Sequence, residues 1–189
     1  MTDISASILH SINDIEPDIW DQCANAAGTY NPFVRHKFLA ALETSGSVSE
    51  ATGWQPFHLQ VEKGNENIGV VPMYLKSHSQ GEYVFDYAWA DAWHRAGGRY
   101  YPKLQVSVPF TPATGPRLLC DRNNTEHQQL LLQACQQVAQ QTKVSSLHMT
   151  FMTESQWHVA ASHGLLRRRD QQLHSHNADY SSKDDSLSE

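Results

Sequence analysis

The sequence predicts a mixed α/β domain built on one sheet, and three observations carry that prediction. Phe57, Leu59 and Val61, then Leu104, Val106 and Val108, then Leu147, Met149 and Phe151 alternate with polar residues, the period of half-buried strands. Between such runs apolar residues recur at helical spacing, most clearly Leu131, Cys135, Val138 and Ala139. The 189 residues are 40% apolar and only 18% charged, which suits a folded chain with a genuine core.

Taken in order, Ser7 to Ile12 is the first predicted strand. Pro17 then stands in a helix's first turn, Ile19, Trp20, Cys23, Ala24 and Ala27 give its apolar repeat, and Gly28 ends it. Asn31 and Pro32 make a turn into a second amphipathic helix, from Arg35 through Phe38, Leu39 and Leu42 to a stop at Gly46. The Phe57 strand turns through Lys63 to Asn67 into the run Ile68 to Leu75, an antiparallel pair. Pro72 within it predicts a bulge or an edge, having no N–H for the ladder. Tyr83 to Phe85 is a short strand feeding a helix from Tyr87 to Ala96. Asp86 is either that helix's N-cap or a catalytic carboxylate, and Trp89 and Trp93, at i, i+4, either face inward or line a cleft.

Leu104 to Val108 and Pro116 to Cys120 are the next strands. Thr125 with Gln128 forms a capping-box pattern for a helix running to Thr142. The Leu147 strand follows, Thr153 with Gln156 caps a helix carrying Trp157, Ala160 and Ala161 to Gly164, and a last strand starts near Leu165. Periodicity is lost from Ser175, so the prediction is a domain over 1–174 and a disordered tail over 175–189. The apolar phase of each element predicts Phe57, Leu59, Val61, Leu131, Cys135, Val138, Leu147, Met149 and Phe151 to be buried.

Composition narrows the function. A net charge of −6 argues against a general nucleic-acid binder, and Arg167 to Arg169, the basic run, reads as a solvated edge. Three dispersed cysteines imply no disulfide framework, with Cys23 and Cys135 as small core residues. The first residues lack a signal-peptide pattern and no run is long enough to span a bilayer, so a reducing cytoplasm is the default. Of 11 histidines, His174 and His176 have ligand-like spacing, yet no HExxH or paired-cysteine motif completes a metal site, and none is expected.

The chemistry concentrates between Glu82 and Leu119, where aromatics interleave with Asp86, Asp91, Arg95, Arg99, Lys103 and Arg117, a mixture suited to a cleft. Pro109, Pro112, Gly115 and Pro116 shape a loop around Thr111 and Thr114 with Arg117 at its exit. Such a loop can hold a carboxylate, a phosphate or a sugar hydroxyl, or it can be a rigid crossover. His148, on the polar face of its strand, is an acid/base candidate, and Cys120 a nucleophile only beside a base that the sequence does not place.

The runs NPFVRHKFLAALE, PMYLKSHSQGEYVFDYAWADA, YYPKLQVSVPFTPATGPRLL and HGLLRRRDQQLH, with SGSVS and ATGWQP, resemble bacterial N-acyltransferases described as peptidoglycan biosynthesis or recognition proteins. That family is related to the Fem-type aminoacyl transferases of the GNAT-like fold group. The resemblance implies a GNAT-like, mainly antiparallel sheet flanked by helices, and a cytoplasmic transferase acting on a peptidoglycan-precursor amine. Asp86 or Asp91 would accept the amine proton, while Trp89, Tyr101, Lys103, Thr111, Thr114 and Arg117 hold an acidic, peptide-like or sugar-like acceptor. The acyl donor, acyl-CoA or another, would be held differently from the usual way, because the turn from Phe85 to Tyr87 lacks the glycine-rich pyrophosphate cradle. The resembling proteins are about twice this length, so the chain corresponds to their first half and a second GNAT-like half is an implied partner. A non-catalytic muropeptide or sugar binding module and an inactive truncated fragment are the alternatives.

Overall fold

The computed structural model describes residues 3–25, 30–84 and 86–169. Two mostly antiparallel open sheets form its frame. One has three strands in the order β1 (Ile4–Leu9), β3 (His58–Lys63), β4 (Glu66–Val71). The other has four, in the order β2 (Trp54–Pro56), β5 (Met73–Lys76), β6 (Lys103–Val106), β7 (Leu147–Met149), with β6 and β7 parallel. Helices α1 (Pro17–Ala24), α2 (His36–Thr44), α3 (Tyr87–Arg95), α4 (Thr125–Thr142) and α5 (Glu154–Ser162) flank them. The mixed, mainly antiparallel α/β class is the one predicted, but the single sheet is in fact two.

The split has a local cause. β2 with β3 and β4 with β5 are the arms of one long hairpin, broken at Phe57 and at Pro72. Pro72 has no N–H to give, so the ladder passes from the Leu59–Val71 pair to the Pro56–Tyr74 pair through one bond, Phe57 N–H to the Met73 carbonyl at 2.9 Å. Buried His58 bridges the break, its Nδ1 accepting the Met73 N–H at 3.3 Å and its Nε2 lying 3.0 Å from Glu43 Oε1. Glu43 of α2 also takes the Ser11 hydroxyl at 2.8 Å and the Ile12 N–H at 3.0 Å, which ties α2 to the sheets.

α4 lays Leu131, Leu132, Cys135 and Val138 into the main core with Leu59, Val61, Leu104 and Val106. A second core closes under α1 and α2, where Trp20, Val34 and Leu39 pack with Val70 and Leu119 and the Trp20 indole donates to the Val34 carbonyl at 2.8 Å. α5 is pinned by Gln156, whose buried amide accepts the Arg117 N–H at 2.8 Å and donates to the Leu118 carbonyl at 2.7 Å. Among the described residues no helix is long and apolar enough to cross a membrane.

Several local expectations are corrected. β1 covers Ile4–Leu9, not Ser7 to Ile12, because Ser11 caps a 3-10 turn over Ile12–Asp14. Leu59, Val61, Leu131, Cys135 and Val138 are buried, but Phe57 at the break and Leu147 and Met149 on the edge strand β7 are only half-buried. Phe151, also half-buried, lies beyond β7 with φ +52°, a turn rather than a strand position. Val108 falls outside β6, Tyr83 and Val84 form no strand, and Pro116 to Cys120 contributes only the bridge from Leu119 to Val70. α4 is capped by Asn124, whose Oδ1 takes the His127 N–H at 3.1 Å, and Gln128 bonds instead to the Arg122 carbonyl. Thr153 precedes α5 without a side-chain cap bond. The run 165–169 has no strand; there Arg167 and Arg169 stack on Trp157, and Arg168 on Trp89. Ala27, Gly28, Phe85, His174, His176 and the predicted tail lie outside the described residues.

Candidate functional site

β5 and β6 run antiparallel with Lys76 opposite Lys103, so two ammonium groups emerge side by side. Both lysines are fully buried, and like charges so placed need acidic partners. The chain after β5 supplies them. It turns back through Gly81, φ +77°, whose carbonyl takes the Phe110 N–H at 3.1 Å, and sets Ser79, Glu82 and Asp86 against Lys103. A Cβ at Gly81 would lie 2.5 Å from the Phe110 ring, so glycine is required there.

Lys103 Nζ lies 2.8 Å from Glu82 Oε2, 2.8 Å from Asp86 Oδ2 and 3.0 Å from Ser79 Oγ. These partners use all the N–H bonds of the ammonium, which leaves His148 Nδ1, at 3.5 Å, an outer neighbour. Lys76 Nζ sits 3.6 Å over the Trp54 ring and 4.0 Å from Glu82 Oε1, and donates to the Gln80 carbonyl at 3.3 Å. Burial pushes Lys76 down to about 7; Glu82 opposes the shift and Lys103 adds to it. Burial likewise lifts Glu82 above the ordinary carboxylate range against the pull of both lysines. Asp86 goes the other way. Burial would raise it, but the Lys103 ammonium, by bond and by charge, and the Tyr100 hydroxyl prevail and hold it low. Burial and the Lys103 charge push His148 down to about 4, so its imidazole is neutral at neutral pH.

Tyr100 closes the outer side, its hydroxyl donating to Asp86 Oδ2 at 2.8 Å, and the Tyr101 hydroxyl lies 2.7 Å from Ser79 Oγ. Asp86 therefore has one oxygen held twice. Its Oδ1, like Glu82 Oε1, is buried and receives no hydrogen bond from the described residues. Both are buried acceptors that the described residues leave unused, the exception to the usual pairing of buried polar atoms.

Of the residues singled out from sequence, Asp86, Tyr101 and Lys103 meet in this cluster. Asp86 stands just before α3 but makes no cap bond. Trp89 and Trp93 are 59% and 57% exposed, so neither faces inward; the Arg168 guanidinium lies 4.4 Å over the Trp89 ring. Asp91 is exposed and pairs with Arg95 one turn on, at 2.8 Å. Thr111 donates to the Pro109 carbonyl at 3.0 Å, and Thr114 is exposed. Arg117 is only 1% exposed, and its guanidinium donates to the carbonyls of Thr150, Pro116 and Ala113 at 2.8, 3.1 and 2.8 Å. Burial lowers it to about 10. Arg117 and Lys103 nevertheless belong to one polar row. Gln105, on the same face of β6 as Lys103, donates to Thr150 Oγ1 at 2.9 Å, and Thr150 in turn receives Arg117.

Lys76, Ser79, Glu82 and Tyr100 escaped the sequence reading as site residues; the available signal was a lysine in each of two strands that meet in register. Burial raises the Cys120 thiol to about 12, and among the described residues no side-chain base is hydrogen-bonded to it. Among the described residues no group of His, Cys, Asp and Glu could hold a metal ion.

Against known proteins, residues 11–189 match the FemAB-like family, described as peptidoglycan biosynthesis/recognition. No curated protein matches. Among solved structures, a mutant of TTHA1254 from Thermus thermophilus aligns at 12% identity over 91% of this chain and 99% of that one, with a TM-score of 0.42, too remote to carry fold or function across. A family match over nearly the whole sequence is decisive, and the chain belongs to the FemAB-like family of peptidoglycan biosynthesis or recognition proteins.

Proposed function

We propose that this chain is an N-acyltransferase-like domain of the Fem type that binds the amine-bearing peptide of a peptidoglycan precursor, with the amine on Asp86. The observation that carries the reading is Asp86 itself, ionised by its Lys103 and Tyr100 donors and left with a buried free oxygen. Trp89, Tyr101, Thr111 and Thr114 would offer the acceptor stacking and hydrogen-bonding surface around it. Lys103 and Arg117 act from behind, Lys103 by fixing the carboxylate and Arg117 by bracing the loop that carries the threonines.

Transfer requires the amine to lose a proton so that its lone pair can attack an acyl carbonyl. Asp86, held low, orients an ammonium better than it deprotonates one. Lys76, near 7, has a suitable affinity but lies fully buried beneath Trp54. Acyl donor and base would then come from a second GNAT-like half, and Asp91 is the remaining carboxylate on α3. The same weakness of Asp86 as a base favours a second reading, a recognition module without turnover. Either role sits with precursor synthesis in the cytoplasm and needs no nucleic-acid partner.

Calorimetric titration with a muropeptide bearing a free amine should show saturable binding. N-acetylation of that amine should abolish it, and Asp86→Asn should weaken it about 10–100-fold, the loss of one charge-assisted bond. Equal affinity for the acetylated peptide would reject the Asp86 site. Mass detection after incubation with acyl-CoA or another acyl donor separates the readings, since only an acyltransferase adds the acyl mass.

A further inference from the structure

β1 is the outer strand of its sheet, pairing among the described residues with β3 alone. The Gly64 N–H donates to the Asp3 carbonyl at 2.8 Å, and this pair continues the β1–β3 register in which Ser5 opposes Glu62 and Ser7 opposes Gln60. In an antiparallel ladder a residue's N–H and C=O point the same way and alternate along the strand. Asp3, Ser5 and Ser7 therefore direct their backbone groups inward, and Ile4, Ala6 and Ile8 direct theirs to the open edge. The side chains of these three residues line a groove of about 440 Å³ between β1 and α4, beside Leu130 and Val138. No charged residue lines it, and β1 lacks the lysine, proline or inward charge by which edges ordinarily avoid pairing.

Ile4-Ser5-Ala6-Ser7-Ile8 reads the same in both directions. We infer that this edge pairs with the β1 edge of a second copy, antiparallel about a two-fold axis through Ala6, joining the two three-stranded sheets into one. A two-fold contact demands self-complementarity, and a palindromic strand supplies it. With Ala6 opposite its own mate, Ile4 meets the other copy's Ile8 and Ser5 meets its Ser7, so apolar side chains pair on the α4 face and hydroxyls on the other. The backbone phase agrees independently, because that register puts the outward-facing residues Ile4, Ala6 and Ile8 opposite one another. A shift by one residue would oppose outward groups to inward ones and would turn isoleucine onto the serine face.

Sedimentation of the full chain across a concentration series should show a monomer–dimer equilibrium. Ala6→Pro removes one outward N–H that β3 does not use and should leave a folded monomer, while Ser5→Pro, which removes an inward N–H, should disrupt β1 itself. A position-specific test covers the case in which the proline variant does not fold. In this register Ala6 faces its own mate at about 5.5 Å between Cα atoms, within reach of a disulfide. Ala6→Cys should therefore crosslink into dimers under mild oxidation, and Ile4→Cys, whose mate is Ile8, should not. A monomer at every concentration, a folded Ala6→Pro variant that still dimerises, or equal crosslinking of the two cysteine variants would overturn the inference.

Discussion

Lys103→Met is the sharpest probe of the buried cluster. The substitution keeps much of the side chain's volume but removes an ammonium that lies 2.8 Å from each of two carboxylates and 3.0 Å from Ser79. Removing one member of a buried ion pair costs about 3–5 kcal/mol, because the remaining charge is stranded, and here Glu82 and Asp86 are stranded together. Urea melts at pH 7.5 should show at least that loss. The pH dependence is the stronger signature. In the native chain Asp86 is held below its ordinary value, so its contribution is present at neutral pH and is lost only as the pH falls through its folded value. Glu82 already lies above its ordinary value in the native chain; in the variant Asp86 should join it, so that the folded state binds more protons and the destabilisation relative to the native chain shrinks as the pH is lowered from 7.5 to 5. Each unit by which a carboxyl is lifted returns about 1.4 kcal/mol once it is protonated. A Lys103→Met chain within about 1 kcal/mol of the native one at pH 7.5 would refute the reasoning, as would a destabilisation that does not shrink in acid.

Further outcomes follow from the same geometry. The unfolded His148 binds a proton near 6.5 and the folded one only near 4, so native stability should fall as the pH drops through that window. The slope corresponds to about 3 kcal/mol for this one group, and His148→Gln should remove it in acid melts relative to the native chain. Leu131→Ala, at a fully buried site on α4, should cost roughly 2–5 kcal/mol in denaturant, and a loss under about 0.5 would mean that the helix faces another way. Trp89→Ala should change the melting free energy by no more than about 0.5 kcal/mol, because the ring is mainly in solvent; a larger cost would show α3 packed on the body.

The parts of the fold that could be read in advance are those where one periodicity dominates. α4 alternates apolar and polar residues at helical spacing over 18 residues, and Leu131, Cys135 and Val138 face the core as that spacing requires. Pro72 announced an interruption correctly, since a missing N–H is a local property of the residue. What it could not announce was the consequence: the register is the same on both sides of the break, and the ladder thins there to the single Phe57 N–H bond to the Met73 carbonyl, which divides one hairpin between two sheets. Edge strands were the weak point. β7 is only three residues long and half-buried, and its alternation ran on into Phe151, where the backbone in fact turns.

Three members of the buried cluster, Asp86, Tyr101 and Lys103, were legible in the sequence, and their wiring was not. Reading Lys103 and Arg117 as ligand contacts rested on their charge in an otherwise acidic chain, and charge gives no direction. Burial decides direction: a cation with no solvent must find its partners inside the fold, so Lys103 is committed to Glu82, Asp86 and Ser79, and Arg117 to three backbone carbonyls. Under the proposed function, their effect on a ligand would be exerted through what they hold. Lys103 holds Asp86 low and occupies its Oδ2, while Oδ1, like Glu82 Oε1, stays buried without a donor among the described residues. Arg117, bonded to the Ala113 carbonyl, fixes the proline loop where Thr111 and Thr114 reside. In the proposed function the aromatics on α3, which are mainly in solvent, would share the work with charges that are buried. On that proposal an acceptor would meet tryptophan and tyrosine first and a carboxylate oxygen last, recruited by contact area and then discriminated by its amine.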